Sequence, residues 1–217
     1  MSILTPEEEL IKSRQRVRAH GEVFTPRSMV NQMLDLVKPE LETGSEFVDK
    51  TFFEPAAGSG NFLVAILQRK LDAVAKQFPP SDWNTESLFA LASIYGIELL
   101  ADNHAAAQRT MMETFFKFHS GIDSDFGSQS CLYRSAQTII ELNVLRGDTL
   151  LGVDSVGKEI QFSWWNRVAE QPGMVLREPF SFASLRNSGA DMAMIDFSLY
   201  LSYEPCLIEH VYKEQTK

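Results

Sequence analysis

Cysteine is scarce in this chain of 217 residues: Cys131 and Cys206 are the only two. They make no metal-ligand spacing and no disulfide framework, so no metal site is expected and the usage fits a reducing, cytoplasmic setting. Long hydrophobic runs are missing as well. No window approaches the roughly 18 consecutive apolar residues of a membrane span. The start, "MSILTPEEELIKSRQRVRAHGE", has no apolar stretch behind a basic flank, so neither a signal peptide nor a membrane partner is expected. Positive charge is in deficit, with Lys+Arg 20 against Asp+Glu 29, a formal net charge of −9 and a pI near 5.0. Such a chain does not coat nucleic acid by charge alone; contact needs a local basic patch or a partner subunit. There is no internal repeat and no low-complexity tract.

What remains is an ordinary globular mixture, 44% hydrophobic and 23% charged, long enough for one good-sized domain. Thr5, Pro6 and three glutamates open a helix over residues 5–19, whose basic end, "KSRQRVR", reads as a dipole-matched turn or a basic arm. After Gly21 and Pro26, the residues Met29, Val30, Met33, Leu34 and Val37 recur at helical spacing, with Ser28 as N-cap and Pro39 as terminator. "FVDKTFFEP" reads as a strand, residues 61–77 as an amphipathic helix and 85–93 as a shorter one. "IYGIEL" is the second strand, "ADNHAAAQRTMMETFFKF" a helix, and "HSGIDSDFGSQS" a surface loop. "AQTIIELNVLRGDTL" carries a short helix into a third strand. This alternation predicts a parallel sheet packed with helices. From Leu151 onward the pattern weakens into short, aromatic, β-leaning pieces, "KEIQFSWWNRV", "GMVLREPFSF" and "DMAMIDFSLYLSY".

In open parallel sheets ligands sit beyond the carboxyl ends of the strands. The three predicted strand ends carry Glu54, Glu98 and Asp148. In "FFEPAAGSGNFLVAIL", Gly58 and Gly60 lack Cβ atoms and Ala56 and Ala57 keep the turn narrow, so a ligand can approach the backbone closely. An acid closing the second strand suits the two hydroxyls of a ribose. A phosphate ligand is disfavoured: neither "GxxxxGK[ST]" nor "GxGxxG" is present, and Glu54 stands at the mouth. A ligand with a ribose, an adenine and a cationic ammonium or sulfonium fits better, and S-adenosylmethionine has all of these. Plainer roles stay open: Glu54 as a helix cap, Glu98 as a solvated strand-end acid, Asp148 as a turn residue, Phe24 as a core aromatic.

Taken in order, "GEVFTPRSMVNQMLDL", "FFEPAAGSGNFLVAIL", "YGIELLADNHAAAQRTM" and "LNVLRGDTL" resemble the successive motifs of the amino-methylating DNA methyltransferases. The similarity is greatest to the N6-adenine methylases and modification subunits of bacterial or phage restriction–modification systems, over about residues 20–150. The resemblance implies a Rossmann-like class I methyltransferase fold, with a mostly parallel sheet and helices on both faces. Residues 1–43 would be a helical extension carrying a cofactor-contacting motif, and 44–217 the α/β domain. It implies S-adenosylmethionine as cofactor and methyl transfer to adenine N6 of DNA. Phe24, Thr25 and Pro26 match the motif that contacts the methionine part. Glu54, Ala56, Gly58 and Gly60 match the first cofactor motif, with the acid near the methionine ammonium. Glu98 matches the ribose acid, followed by Asp102 and Asn103 as in the family's turn, and Asp148 matches the acid that bonds the adenine amino group.

One family motif is not found. An Asn/Asp-Pro-Pro-Tyr/Phe segment belongs after the third strand, where it grips the flipped base. The only Pro-Pro pair, Pro79-Pro80, precedes the second strand. The nearest late segment is Glu178, Pro179 and Phe180 in "REPFSF"; "WNRV" at Trp165–Val168 has an Asn and an aromatic but no proline. The stretch after Asp148 is also short for a DNA-reading domain. Two expectations follow: an enzyme reaching DNA through a partner or specificity chain, or as a homodimer; or a non-catalytic or split relative that acts as a binding or regulatory subunit of a restriction–modification or anti-restriction complex.

Overall fold

A computed structural model describes residues 11–120, 127–187, 201 and 203–216. The expected helix start at Thr5, half of the "HSGIDSDFGSQS" loop and most of "DMAMIDFSLYLSY" lie outside the described residues.

Helix α1 spans Arg14–His20; Ser13 caps it by accepting from the Arg16 N–H, and Gly21 ends it with φ +66°. Helix α2, Arg27–Asp35, begins before the expected cap. Pro26 supplies the first carbonyl, which accepts from the Val30 N–H at 3.0 Å, so Ser28 lies inside the first turn and does not cap. Only Val30 and Leu34 of its apolar stripe are buried; Met29 and Met33 are about half exposed. Pro39 opens a single wide turn, Pro39–Thr43.

The ordered centre is a sheet of β1 (Phe52–Glu54), β2 (Ile94–Glu98), β3 (Val144–Asp148) and β4 (Val153–Asp154), in that order. The first three are parallel; β4 turns back antiparallel on β3. The predicted first strand is much longer than β1, because Phe47 and Val48 enter the core from turns instead. Each crossover carries two helices: α3 (Asn61–Gln77) and α4 (Trp83–Ala92) between β1 and β2, then α5 (Ala101–Ser120) and α6 (Cys131–Asn143) between β2 and β3. Helix α3 has the predicted bounds. Its Leu63, Leu67, Leu71 and Val74 are fully buried, at the spacing that gives a helix one apolar face.

The expectation of helices on both faces is not met. The face of the sheet that shows Phe53 and Tyr95 is covered by a second, antiparallel sheet, β5 (Gln161–Arg167), β6 (Met174–Ser181) and β7 (Cys206–Leu207). Tyr95 meets Phe162 edge-on at 5.5 Å and stacks on Trp164, and its hydroxyl donates to the Ser163 carbonyl at 2.8 Å. Phe53 meets Phe162 and Phe182, the latter opening α7 (Phe182–Asn187). Aromatic, β-leaning residues after Leu151 thus supply the layer that helices were expected to supply. On the opposite face, Gly96 lets α3 close in: a Cβ there would lie 2.9 Å from Leu63 Cδ1.

A buried lysine ties α3 to the sheet. Lys70 has no exposure, and its ammonium donates to the Val48 carbonyl (3.0 Å), the Lys50 carbonyl (2.7 Å) and Ser93 Oγ (2.6 Å). Burial pushes its pKa down to about 7, against a weaker opposing pull from Asp49. Among the described residues, no helix is long and apolar enough to cross a membrane.

Candidate functional site

A cavity of about 370 Å³ opens at the carboxyl ends of β1, β2 and β3. That volume falls in the range of roughly 300–1,000 Å³ typical of small-molecule pockets. The β1–α3 turn forms its floor. Gly58 adopts φ +56° and Gly60 φ +95°, the left-handed region where a side chain is strained. A Cβ on Gly58 would lie 3.2 Å from the Phe24 ring, and one on Gly60 would lie 3.0 Å from Ala107 Cα. These two positions need glycine for conformation and for space together.

Glu98 closes β2, is 7% exposed and lines the cavity. Its carboxylate accepts from the Gly58 N–H at 2.8 Å and the Leu100 N–H at 2.9 Å. The strand-end acid is therefore fastened to the glycine turn rather than left in solvent. Asp148 closes β3 and also lines the cavity; one of its oxygens accepts from the Leu150 and Leu151 N–H groups. It performs the plainer turn role and stands in the site at once.

Phe24 and Thr25 form the wall opposite, with Asn61 donating to the Thr25 carbonyl at 3.1 Å to fix this segment on the start of α3. Of the predicted residues, then, Phe24, Thr25, Ala56, Gly58, Glu98 and Asp148 come together around one cavity. Pro26, Glu54 and Gly60 support it without lining it: Pro26 starts α2, Gly60 is the N-cap of α3, and Glu54 accepts from the Ala56 N–H at 3.0 Å across the turn.

Glu178, Pro179 and Phe180 do not reach this cavity. They sit within β6, paired with Trp164, Ser163 and Phe162 of β5. The Asn166 side-chain amide donates to Glu178, and Phe180 is 2% exposed. This segment is an ordinary paired strand, shaped by the aromatic layer beneath it. Phe180 instead helps line a second, more apolar groove of about 760 Å³ between β1 and the second sheet.

The sequence reading missed a charged cluster on the cavity's N-terminal side. Arg16 donates through Nε and Nη2 to both oxygens of Glu22, and through Nη1 and Nη2 to Asp102 at 2.7 and 3.0 Å. Lys12 donates to Asp102 at 2.8 Å and to the side-chain oxygen of Asn103. The pairing with Arg16 holds the Glu22 and Asp102 carboxyls below the usual carboxylate range, against the opposing effect of burial, and raises the guanidinium in return. Glu22 and Asn103 line the cavity. Ion pairs between separate elements, here α1, the segment after it and the first turn of α5, carry no periodicity; the available signal was the position of Glu22 two residues before "FTP" and of Asp102-Asn103 just after β2.

Residues 8–115 match the family model for N-6 DNA methylases. No curated protein and no solved structure matches the chain.

Proposed function

The chain belongs to the N-6 DNA methylase family, through residues 8–115, and from that premise we propose that its pocket binds S-adenosylmethionine. The observation that carries this reading is the convergence of Phe24, Gly58, Glu98 and Asp148 on one cavity from four separate stretches of chain. The donor set suits the ligand. Glu98 already accepts from the Gly58 and Leu100 N–H groups and, at 3.4 Å, from the Asn103 amide; of the roughly four lone-pair sites of an ionised carboxylate, the remainder is open to a ribose hydroxyl. Asp148 offers a carboxylate to an amino group, and Gly58 lets the ligand lie against backbone. Among the described residues the cavity lining includes Glu22, Glu98 and Asp148 but no Lys or Arg, which favours a cationic ligand over a phosphate.

S-adenosylmethionine supplies an activated methyl group when bound, and the family's acceptor is adenine N6 in DNA. We assign this protein as a methyltransferase-like component of a restriction–modification system, built on a Rossmann-like core. DNA is reached through a partner chain, because a net charge of −9 makes the isolated chain a poor binder of phosphate.

A second reading is favoured by a specific observation. Glu178–Phe180 is a paired strand outside the cavity lining, and the sequence has no Asn/Asp-Pro-Pro-aromatic segment after β3. On that reading the chain is a non-catalytic or split subunit that holds the cofactor while another polypeptide supplies the base-gripping residues. Calorimetry with S-adenosylmethionine tests the shared premise: no heat at millimolar ligand removes the cofactor assignment. Methyl transfer to adenine-rich DNA, with and without neighbouring gene products, separates the two readings; activity from the chain alone refutes the second.

A further inference from the structure

The N-terminal ion cluster continues into the cavity. Asn103 is 1% exposed and stands between two carboxylates. Its side-chain Nδ2 donates to Glu22 Oε1 at 2.6 Å and faces Glu98 Oε1 at 3.4 Å, while its Oδ1 accepts from Lys12. With a cation on its oxygen and carboxylates on its nitrogen, the amide has one orientation. Arg16 fixes the next link, gripping both oxygens of Glu22 and anchoring through Asp102 to the first turn of α5. A continuous path therefore runs Arg16, Glu22, Asn103, Glu98, Gly58 N–H.

We infer that Arg16 is a positioning residue for nucleoside recognition, acting through Glu22 and Asn103 to hold Glu98 toward the ribose. This rests on the cofactor reading above and adds a residue to it that touches no ligand. Without the guanidinium, Glu22, whose side chain is only 7% exposed, loses its ion-pair partner and is left with the Asn103 amide and the weaker pull of Lys12. Asn103 then has competing demands, and Glu98 loses the side-chain contact on Oε1 that supplements its Gly58 and Leu100 N–H bonds. Lys12 reinforces the same arrangement from the oxygen side of Asn103.

The test compares binding of adenosine and 2′,3′-dideoxyadenosine by calorimetry in the full chain, its Arg16→Gln and Arg16→Lys variants, and Arg109→Gln. Arg109 pairs with Glu113 on the exposed side of α5 and serves as the control for charge. Hydrogen bonding of both hydroxyls gives the wild type and the control a preference for adenosine of about tenfold or more. Arg16→Gln should reduce that preference below about threefold while leaving dideoxyadenosine affinity near wild type. Arg16→Lys, which keeps the charge but not the two-pronged grip, should fall between. An unchanged preference in Arg16→Gln overturns the inference. An equal loss for both ligands, which marks a merely structural strap, overturns it too. Failure of the wild type to bind either nucleoside is a different result: it removes the cofactor reading and the inference together.

Discussion

Comparing the wild type with Lys70→Met isolates the titration of one buried amine in the stability of this protein. The ammonium has no exposure and three neutral acceptors, Val48 O, Lys50 O and Ser93 Oγ. It also lies 5.1 Å from the Phe52 ring centroid. These partners favour the charged form and desolvation opposes it; desolvation dominates, taking the pKa from 10.5 to about 7. The sign follows from linkage. Between those two values the unfolded chain binds a proton that the folded chain does not, so stability rises with pH in that window. The slope is at most about 1.4 kcal/mol per pH unit. Allowing for partial protonation of the folded state near pH 7, the rise from pH 7 to pH 9 amounts to about 2 kcal/mol. Lys70→Met lacks this term and leaves the two carbonyls without their donor, a loss of roughly 2–4 kcal/mol at pH 9. The difference in stability between wild type and variant, from urea unfolding at pH 7, 8 and 9, should therefore grow with pH by about 2 kcal/mol in all. Using the difference cancels other groups, among them Tyr95 and Cys206, whose pKa values burial raises. A difference that stays flat across the range would show that the three acceptors and Phe52 keep the amine charged, and would refute the desolvation argument.

Other perturbations have equally definite outcomes. Gly60→Ala places a methyl 3.0 Å from Ala107 Cα at φ +95°, and thermal unfolding should show a loss of about 2 kcal/mol or more. Glu98→Ala removes the ribose acceptor together with the partner of the Gly58 and Leu100 N–H groups; calorimetry should show S-adenosylmethionine affinity falling by at least about tenfold. Asp148→Asn keeps the turn contacts through its remaining oxygen, so melting should barely move while affinity drops. Arg177→Met strips the partner from Glu214, whose carboxyl burial already pushes up, and urea unfolding should register a loss of about 3 kcal/mol.

Much of the fold could be read locally. Helix α3 was legible to the residue because its apolar spacing and the preceding glycines mark both the face and the start. Strands β2 and β3 were legible as short apolar runs closing on acids, and the cavity residues because three strand ends with acids imply one shared edge. Two local features are decided only by their surroundings. Ser28 is a good cap by residue type, but the backbone at Pro26 begins α2 earlier. "REPFSF" resembles a degenerate motif by composition, yet pairing with β5 decides where its side chains lie.

Composition and local pattern by themselves determined the class of this protein: parallel strands linked by helices, a glycine turn after the first strand, and acids at the strand ends. These depend on period and turn chemistry, which act over a few residues. Tertiary structure alone decided what covers the second face of the sheet, since an aromatic strand and an apolar helix bury that surface equally well until their partners are known. It also decided that Lys70 is buried and that Glu22 and Asn103 reach the cavity with Lys12 and Arg16 bonded behind them, because ion pairs and hydrogen bonds between distant segments leave no periodic trace in a single chain.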